Sequence, residues 1–455
     1  MTTVTSTTKP VAIECDPLER LGGAAGRTDE PAFAQQLRER GARAFARLGL
    51  PTAKHEEWRY TNVAPVRERS FAPPGAADAA AAQRAVAQAT PFESAALLVF
   101  VNGAFCAELS KVGQEAGVRI LPMAQALRDE PATLERWLGA VRDVDDDAFA
   151  HACDALFSDG AFVRIDKGAR LDRPVHVVHA LLEQERPTAV HTRSLIVADE
   201  GASCAIVEET VGLEGAAPLL CNALTEVVLA QGARASLVRT ARDAGRTLHI
   251  ESLRVHQEAE SALAAHSLQL GAQLLRSNVS PVLAGENCSC ELHGVYLPAG
   301  EQHMDNHMRV VHAAPNCFSR QQYRGVMQDR SRGVFTGRII VEQQAQKTDA
   351  IQSCRNILLS PDARANAKPQ LEIYADDVRC THGATVGQLD EEAVFYLQAR
   401  GLRKTQARAL LVHAFVKETL DRIEREDVRR AVEQLAAQRL PGGAEIAPLL
   451  ADGES

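Results

Sequence analysis

Asp166-Lys167-Gly168-Ala169, Asp199-Glu200-Gly201-Ala202 and Ala230-Gln231-Gly232-Ala233 are three turn phrases roughly 30 residues apart, and each leads into a short strand-like run. A fourth phrase, Leu283-Ala284-Gly285-Glu286, is related, but the interval shortens and becomes irregular after Gly285. From Phe162 to about Leu389 the chain is written in such runs, separated by Gly, Asp, Asn and Ser, with almost no span long enough for a conventional helix. Self-similarity at this period is what stacked β-coils produce, because one coil cannot bury a core alone and must lie on the next. The spacing predicts a β-helix; a large antiparallel sandwich is the competing arrangement.

The flanks read differently. Before Leu50-Pro51, Phe33, Leu37, Ala42, Phe45 and Leu48 fall near one face of a helix. Phe71-Ala72-Pro73-Pro74-Gly75 and the alanine run up to Pro91 predict a linker or a loosely attached helix. Leu97 to Val101, closed by Asn102-Gly103, reads as a strand, and Leu134 to Leu138 returns to helical spacing. After Asp390 a helix runs from Glu391 to Arg400 and stops at Gly401. A longer one follows from Thr405 to about Arg425 with a stripe of Val412, Val416, Leu420 and Ile423, then a shorter stripe of Val428, Val432 and Leu435 before Leu440-Pro441-Gly442-Gly443. The stripes cap the end of a solenoid, or meet a partner, or both; on this reading residues beyond Asp390 are removable without unfolding the β core. Three segments result: a mixed N-terminal domain over 1–160, a β core over 161–389 and a helical domain over 390–455.

Composition excludes several classes. The 455 residues, 45% hydrophobic and 24% charged, describe an ordinary globular chain. A net charge of −9 without a long basic run argues against a nucleic-acid or anionic-lipid partner. The start at Met1-Thr2-Thr3-Val4 has neither a basic nor an apolar leader region, and no apolar run approaches membrane-spanning length, so a cytoplasmic location is expected. Ten cysteines without a C-x-x-C pair then read as reduced thiols. Aromatics at 4% leave few rings for stacking sugars or bases.

No phosphate loop or G-x-S-x-G elbow occurs, and Gly22-Gly23-Ala24-Ala25-Gly26 reads as a flexible turn. Cys288 and Cys290 share a strand face, as a thiol pair or as core filling. His293, His303, His307 and His312 match no zinc-helix spacing and read as surface or core histidines. Asp376-Asp377-Val378-Arg379-Cys380-Thr381-His382-Gly383-Ala384-Thr385 is richer. On a strand, Cys380 and His382 project from one face, about 6 to 7 Å apart along the chain, and a thiolate beside an imidazole suits iron or an iron-sulfur species. Two ligands do not close a site, and a buried cysteine with a turn-capping histidine is the plain alternative.

Lys368 to Val378, running into Cys380-Thr381-His382-Gly383-Ala384-Thr385-Val386-Gly387, resembles the signature of the SufB/SufD family. So does Gly333-Val334-Phe335-Thr336-Gly337-Arg338-Ile339-Ile340-Val341 through Gln346-Lys347-Thr348-Asp349-Ala350, while Lys54-His55-Glu56-Glu57-Trp58-Arg59-Tyr60-Thr61 looks like a SufD-type start and Leu440-Pro441-Gly442-Gly443 like the family's end. SufB-type chains typically carry Cys-x-His-Glu where this chain has Cys380-Thr381-His382-Gly383, which sets it on the SufD side. The resemblance implies a mainly β protein, with a right-handed parallel β-helix core between an N-terminal mixed domain and a C-terminal helical domain. It implies a heterodimer with SufB through the last β-helix strands, a SufC ATPase docked on the C-terminal helices, and a scaffold role in iron-sulfur cluster assembly without catalysis. The isolated chain would hold no tight cofactor. A transient cluster would form at the SufB interface, with His382 as the ligand and Cys380 nearby; whether the chain alone forms a homodimer is left open. The rivals are a scaffold with no ligand role and a β-helix carbohydrate-processing enzyme, which the low aromatic count disfavours.

Overall fold

In the computed structural model Gly168, Gly201 and Gly232 take positive φ angles of 71°, 67° and 70°, and each occupies the same corner of successive coils. The Gly168 N–H donates to the Glu200 carbonyl and that of Gly201 to the Gln231 carbonyl, so the corners form a column. In later coils the column continues through Glu260, Asn287, Asn316 and Lys347, with φ of 61°, 60°, 59° and 62°. The period therefore never breaks. The fourth phrase was assigned to Gly285, but the equivalent corner is Asn287, and non-glycine residues hide the repeat beyond it. The structure describes residues 18–23, 30–113, 115–141, 147–443 and 446. The Met1 start and Ala24 to Gly26 of the glycine-rich turn lie outside them.

Each coil gives one strand to each of two sheets. The first sheet runs in space through Ala104–Phe105, Ala96–Val101, Val175–Leu182, Ser203–Leu213, Arg234–Arg242, Ala262–Gln269, Ser289–Tyr296, Phe318–Met327, Asp349–Leu358 and Arg379–Gly387. The second runs through Val118–Pro122, Ala161–Ile165, Thr188–Ala198, Leu219–Leu229, Leu248–Gln257, Leu274–Leu283, His303–His312, Arg332–Val341 and Arg364–Ile373. Ser203, Arg234, Ala262, Ser289, Phe318, Asp349 and Arg379 stand side by side in parallel register, giving a solenoid of about eight turns. The antiparallel sandwich is thereby excluded. Among the described residues only two strand pairs are antiparallel, Ala96–Val101 with Ala104–Phe105 and Val118–Pro122 with Ala161–Ile165, both at the N-terminal end. Strands from before residue 160 thus run in the same two sheets as the coils that follow.

Alternation along each strand points one set of side chains into a shared interior that includes Ile206, Leu237, Leu263, Leu292, Met308 and Phe335. The N-terminal helix Ala32–Leu48 buries Leu37 and Phe45, as its periodicity requires. The alanine run forms Ala79–Val86, capped by Asp78, and it is packed rather than loose: Ala82 and Ala85 are small enough to lie directly on Val99, Val101 and Val178. The C-terminal helices Lys404–Leu420 and Glu426–Arg439 lie along the flank of the first sheet. Val412, Val416, Leu420, Ile423, Val428 and Val432 are buried against Val207, Val238, Leu268, Val295 and Val326. The stripe is consumed within the chain, and it neither caps an end nor faces a partner. Deleting residues 391–455 would expose that apolar face, so the truncated chain is expected to melt at lower temperature and bind a hydrophobic dye, in place of the intact β core the stripe alone suggested.

The interior also holds charge. Arg239 pairs with Glu208 at 3.0 Å and Glu251 at 2.9 Å, and His179 lies 3.4 Å from Glu208. Burial alone would raise the Glu208 carboxyl, but Arg239, His179 and Thr225 together lower it to about 2. A carboxyl held below its ordinary value adds stability that is complete above about pH 4.5 and lost as pH falls toward 2. Glu208→Gln should destabilise the chain by about 3 kcal/mol at neutral pH, since breaking a buried pair strands a charge. Melting curves from pH 7 downward should show the gap between variant and wild type closing across that acid window.

Candidate functional site

Following one interior column from strand to strand, Ile206, Leu237, Ala265 and Leu292 are apolar, and the next three residues in register are Gln321, Gln352 and His382. The column turns polar where the solenoid ends. Arg379–Gly387 is the last strand of its sheet and Arg364–Ile373 the last of the other, so each leaves one edge without a neighbouring strand among the described residues. Among these residues nothing stacks on the final coil; His382 is exposed and Cys380 half-buried. Cys380, His382 and Ala384 sit in register over Ala350, Gln352 and Cys354, all three buried, so the predicted shared face is the interior face of the open coil.

The floor beneath the pair is ordered by hydrogen bonds. Gln352 Nε2 donates to Gln321 Oε1 at 2.7 Å, and Gln352 Oε1 has no partner. Gly337 faces that amide from the opposite sheet, where a Cβ would stand 2.2 Å from Gln352 Nε2. Tyr296 donates its hydroxyl to Asn356, beside Cys354. Burial raises the Cys380 thiol above its ordinary range; a backbone hydrogen bond from Ala350 opposes this and the Asp349 carboxylate adds to it. The thiol is therefore protonated near neutral pH, and a thiolate ligand would form only as a metal displaces the proton. Among the described residues no three His, Cys, Asp or Glu side chains come together as a metal site.

The other sequence candidates scatter. Cys288 and Cys290 are buried in the interior, where the Cys288 and Cys317 thiols both approach the Gly285 carbonyl, at 3.1 and 3.3 Å. His293 bonds Glu291 at 3.0 Å, and His312 bonds Ser319 at 2.9 Å inside the solenoid. His303 and His307 hold the segment around Lys54 to Thr61 against the outer face of the second sheet, through Thr61 at 2.9 Å and Glu57 at 2.5 Å. Gln321, Gln352 and Asn356 were not singled out in the sequence; each carries an amide where the period-2 pattern calls for an apolar inward residue, and that interruption is the signal that could have found them.

Exposed apolar side chains gather at the same end. Of the eight large exposed hydrophobic residues among the described residues, six lie between Ile351 and Tyr396: Ile351, Ile373, Tyr374, Val386, Phe395 and Tyr396. Phe395 and Tyr396 lie on the helix Glu391–Ala399, capped by Asp390. No helix among the described residues is long and apolar enough to cross a membrane.

A parallel two-sheet solenoid with helices at both ends defines the fold class, and comparison with known proteins supplies the family. The model of the SUF system FeS cluster assembly SufBD core domain matches residues 180–415, and that of the SufBD protein N-terminal region matches residues 27–177. The chain belongs to the SufB/SufD family. Within it, the chain is of the SufD type: it is 30% identical to the iron-sulfur cluster assembly protein SufD of Escherichia coli over 424 residues, covering 92% of this chain and 95% of that one. A SufBD family protein of Synechocystis is likewise 30% identical, over 90% of this chain and 92% of its own. A chloroplastic protein of Arabidopsis thaliana named ABCI7 is 31% identical over 59% of this chain and 58% of its own.

Because the His382 side chain is exposed on a strand with one free edge, His382→Ala should change the stability of the isolated chain by less than about 0.5 kcal/mol in denaturant titrations. A larger loss would make His382 a structural residue.

Proposed function

We propose that the chain is a non-ATPase scaffold subunit of an iron-sulfur cluster assembly complex, and that a nascent cluster is its cargo, met at His382 with Cys380 nearby. The observation that carries this reading is the coincidence, on one uncovered terminal coil, of a free strand edge, exposed apolar side chains and two soft ligands. The names of the relatives in Escherichia coli and Synechocystis support the assembly role. An edge of this kind is satisfied by a strand or coil of another chain, and a SufB-type partner of the same architecture would continue both sheets. That partner would bring the ligands this chain lacks, since a stable cluster usually takes four.

A SufC-type ATPase would dock on the helix Glu391–Ala399. Its Phe395 and Tyr396 remain exposed, whereas the stripes of the two following helices are spent on the solenoid flank. ATP-driven movement of that helix would reach the terminal coil through the short link between Gly387 and Asp390. The chain itself would perform no catalysis.

The test is anaerobic reconstitution of the three-protein complex. His382→Ala should leave the complex assembled and hydrolysing ATP yet cut cluster yield severely, and His382→Cys, another soft donor, should restore part of it. Normal yield in the alanine variant would leave a scaffold without a ligand role. The isolated wild-type chain should carry no stoichiometric iron, and a full cluster on it would overturn the division of ligands.

A further inference from the structure

The residue that follows each positive-φ corner of the solenoid is small and buried at the rim of the interior. In successive coils it is Ala202, Ala233, Ser261, Cys288, Cys317 and Thr348, each directly before a strand of the first sheet. Backbone bonds hold this column together. The Ser289 N–H donates to the Ser261 carbonyl at 2.9 Å, that of Phe318 to Cys288 at 2.8 Å and that of Asp349 to Cys317 at 3.0 Å. Alanine or a hydroxyl fills the place in the other four coils, whereas Cys288 and Cys317 put two thiols on neighbouring ones.

The two side chains meet. Cys288 Sγ and Cys317 Sγ lie 3.1 and 3.3 Å from the same Gly285 carbonyl oxygen, and the Cys317 thiol hydrogen-bonds Cys288. Neighbouring strands run about 4.8 Å apart. Disulfides bridge Cα atoms separated by about 4.4 to 6.8 Å, so the backbone need not move far to join the pair. The two thiols also differ in acidity. The hydrogen bonds from Cys317 and, after it, the Ser261 hydroxyl bring Cys288 down to about 7 against the effect of burial. Cys317 is raised by its bond to Cys288 and by burial, and every other described cysteine is raised, first of all by burial. Cys288 is therefore the thiol that ionises first, and Cys317 keeps its proton beside it. Only the turn before Cys288 separates the pair from solvent, and Ala284, Glu286 and Asn287 of that turn are exposed.

We propose that Cys288 and Cys317 are a redox-sensitive pair, which a hydroperoxide converts into a disulfide stapling two neighbouring coils and which a thiol reductant restores. The Cys288 thiolate attacks one oxygen of hydrogen peroxide: an S–O bond forms, the O–O bond breaks, and the departing hydroxide takes a proton to become water. Cys317 sulfur then attacks the sulfur of the resulting sulfenic acid. The S–S bond forms, the S–O bond breaks, and the hydroxide that leaves carries off the Cys317 proton as a second water. Two thiols are oxidised by two electrons and one peroxide is reduced to two waters. A reducing dithiol returns the two electrons and two protons by exchange. The nearer of the two coils lies two turns below the open one, so the pair stands or falls independently of the ligand role proposed for Cys380 and His382.

The experiment exposes the full chain, reduced and desalted, to a small molar excess of hydrogen peroxide. The remaining thiols are then alkylated in denaturant and the tryptic peptides mapped by mass spectrometry. Wild type should lose two of its ten alkylatable thiols and yield one pair of linked peptides, joining Cys288 to Cys317, that dithiothreitol separates. Cys288→Ser and Cys317→Ser should each abolish the link; serine already fills this column at Ser261, so both variants are expected to fold. Cys290 lies on the same tryptic peptide as Cys288, and Cys290→Ser should keep the link, as should Cys380→Ser. Absence of the link in wild type would overturn the proposal, whether the thiols stay reduced or Cys288 goes on to a sulfinic acid. So would a link that survives Cys288→Ser or disappears in Cys290→Ser, since either would assign it to another thiol.

Discussion

The backbone ladder between coils is the constraint on which everything else rests. In a parallel solenoid the N–H and C=O groups of one coil are satisfied by the next, so each coil depends on having a neighbour and the stack must somehow stop. The two ends stop differently. At the N-terminal end Ala104–Phe105 and Val118–Pro122 turn back antiparallel and finish the sheets. At the other end Arg364–Ile373 and Arg379–Gly387 keep edges that no strand among the described residues covers. A long exposed edge with apolar side chains beside it is a liability in a monomer unless another chain covers it. The cysteine and histidine of interest sit where the ladder runs out.

The interior explains how the stack keeps its register up to that point. A slip of one residue would turn every inward side chain outward. Arg239 between Glu208 and Glu251 ties charge to fixed interior positions, and Arg193 does so on the outer face of the second sheet, between Glu226 and Asp154 of the helix Ala148–Leu156; a slip would strand all of it. Near the open end amides and rings take over this role. Gly294 leaves room for the Tyr323 ring and Gly325 for the Tyr296 ring, where a Cβ would come within 2.1 and 2.5 Å. These glycines are needed so that a ring of the neighbouring strand can lie over the backbone inside a narrow interior, a different task from that of the corner glycines, which supply positive φ.

The sequence discloses what is local and conceals what is one coil away. Gly168, Gly201 and Gly232 announce the period because their left-handed corners favour glycine; Glu260, Asn287, Asn316 and Lys347 hold the same conformation without announcing it. The stripes on the C-terminal helices are plain, but their destination is not, since Val207 to Val326 are scattered over more than a hundred residues. Cys380 and His382 could be placed on one strand face from their spacing alone. Gln352 beneath His382 could not, because its nearness depends on a register set by a whole turn of chain. The same holds for His303 and His307, whose partners Thr61 and Glu57 lie about 250 residues away. Their spacing matches no zinc-helix pattern and signals no common role, yet they share one, as anchors for the segment around Trp58.

An incomplete ligand set fits a carrier better than a complete one would. A chain with four convergent ligands would keep a cluster, since each further ligand slows release. On the proposed reading, a chain with only a histidine and a half-buried thiol would bind a cluster only while another protein supplies the remainder. The chemistry of Cys380 adds a second condition: burial favours its protonated form, so without a metal the thiol is neutral and weakly nucleophilic. On that reading the partner which completes the ligand set would also cover the edge and the exposed apolar residues beside it, so that assembly of the complex and formation of the site would be one event. On the proposed reading, separating the two chains would remove ligands and expose the edge together, and release of the cargo would follow from the same movement that opens the interface.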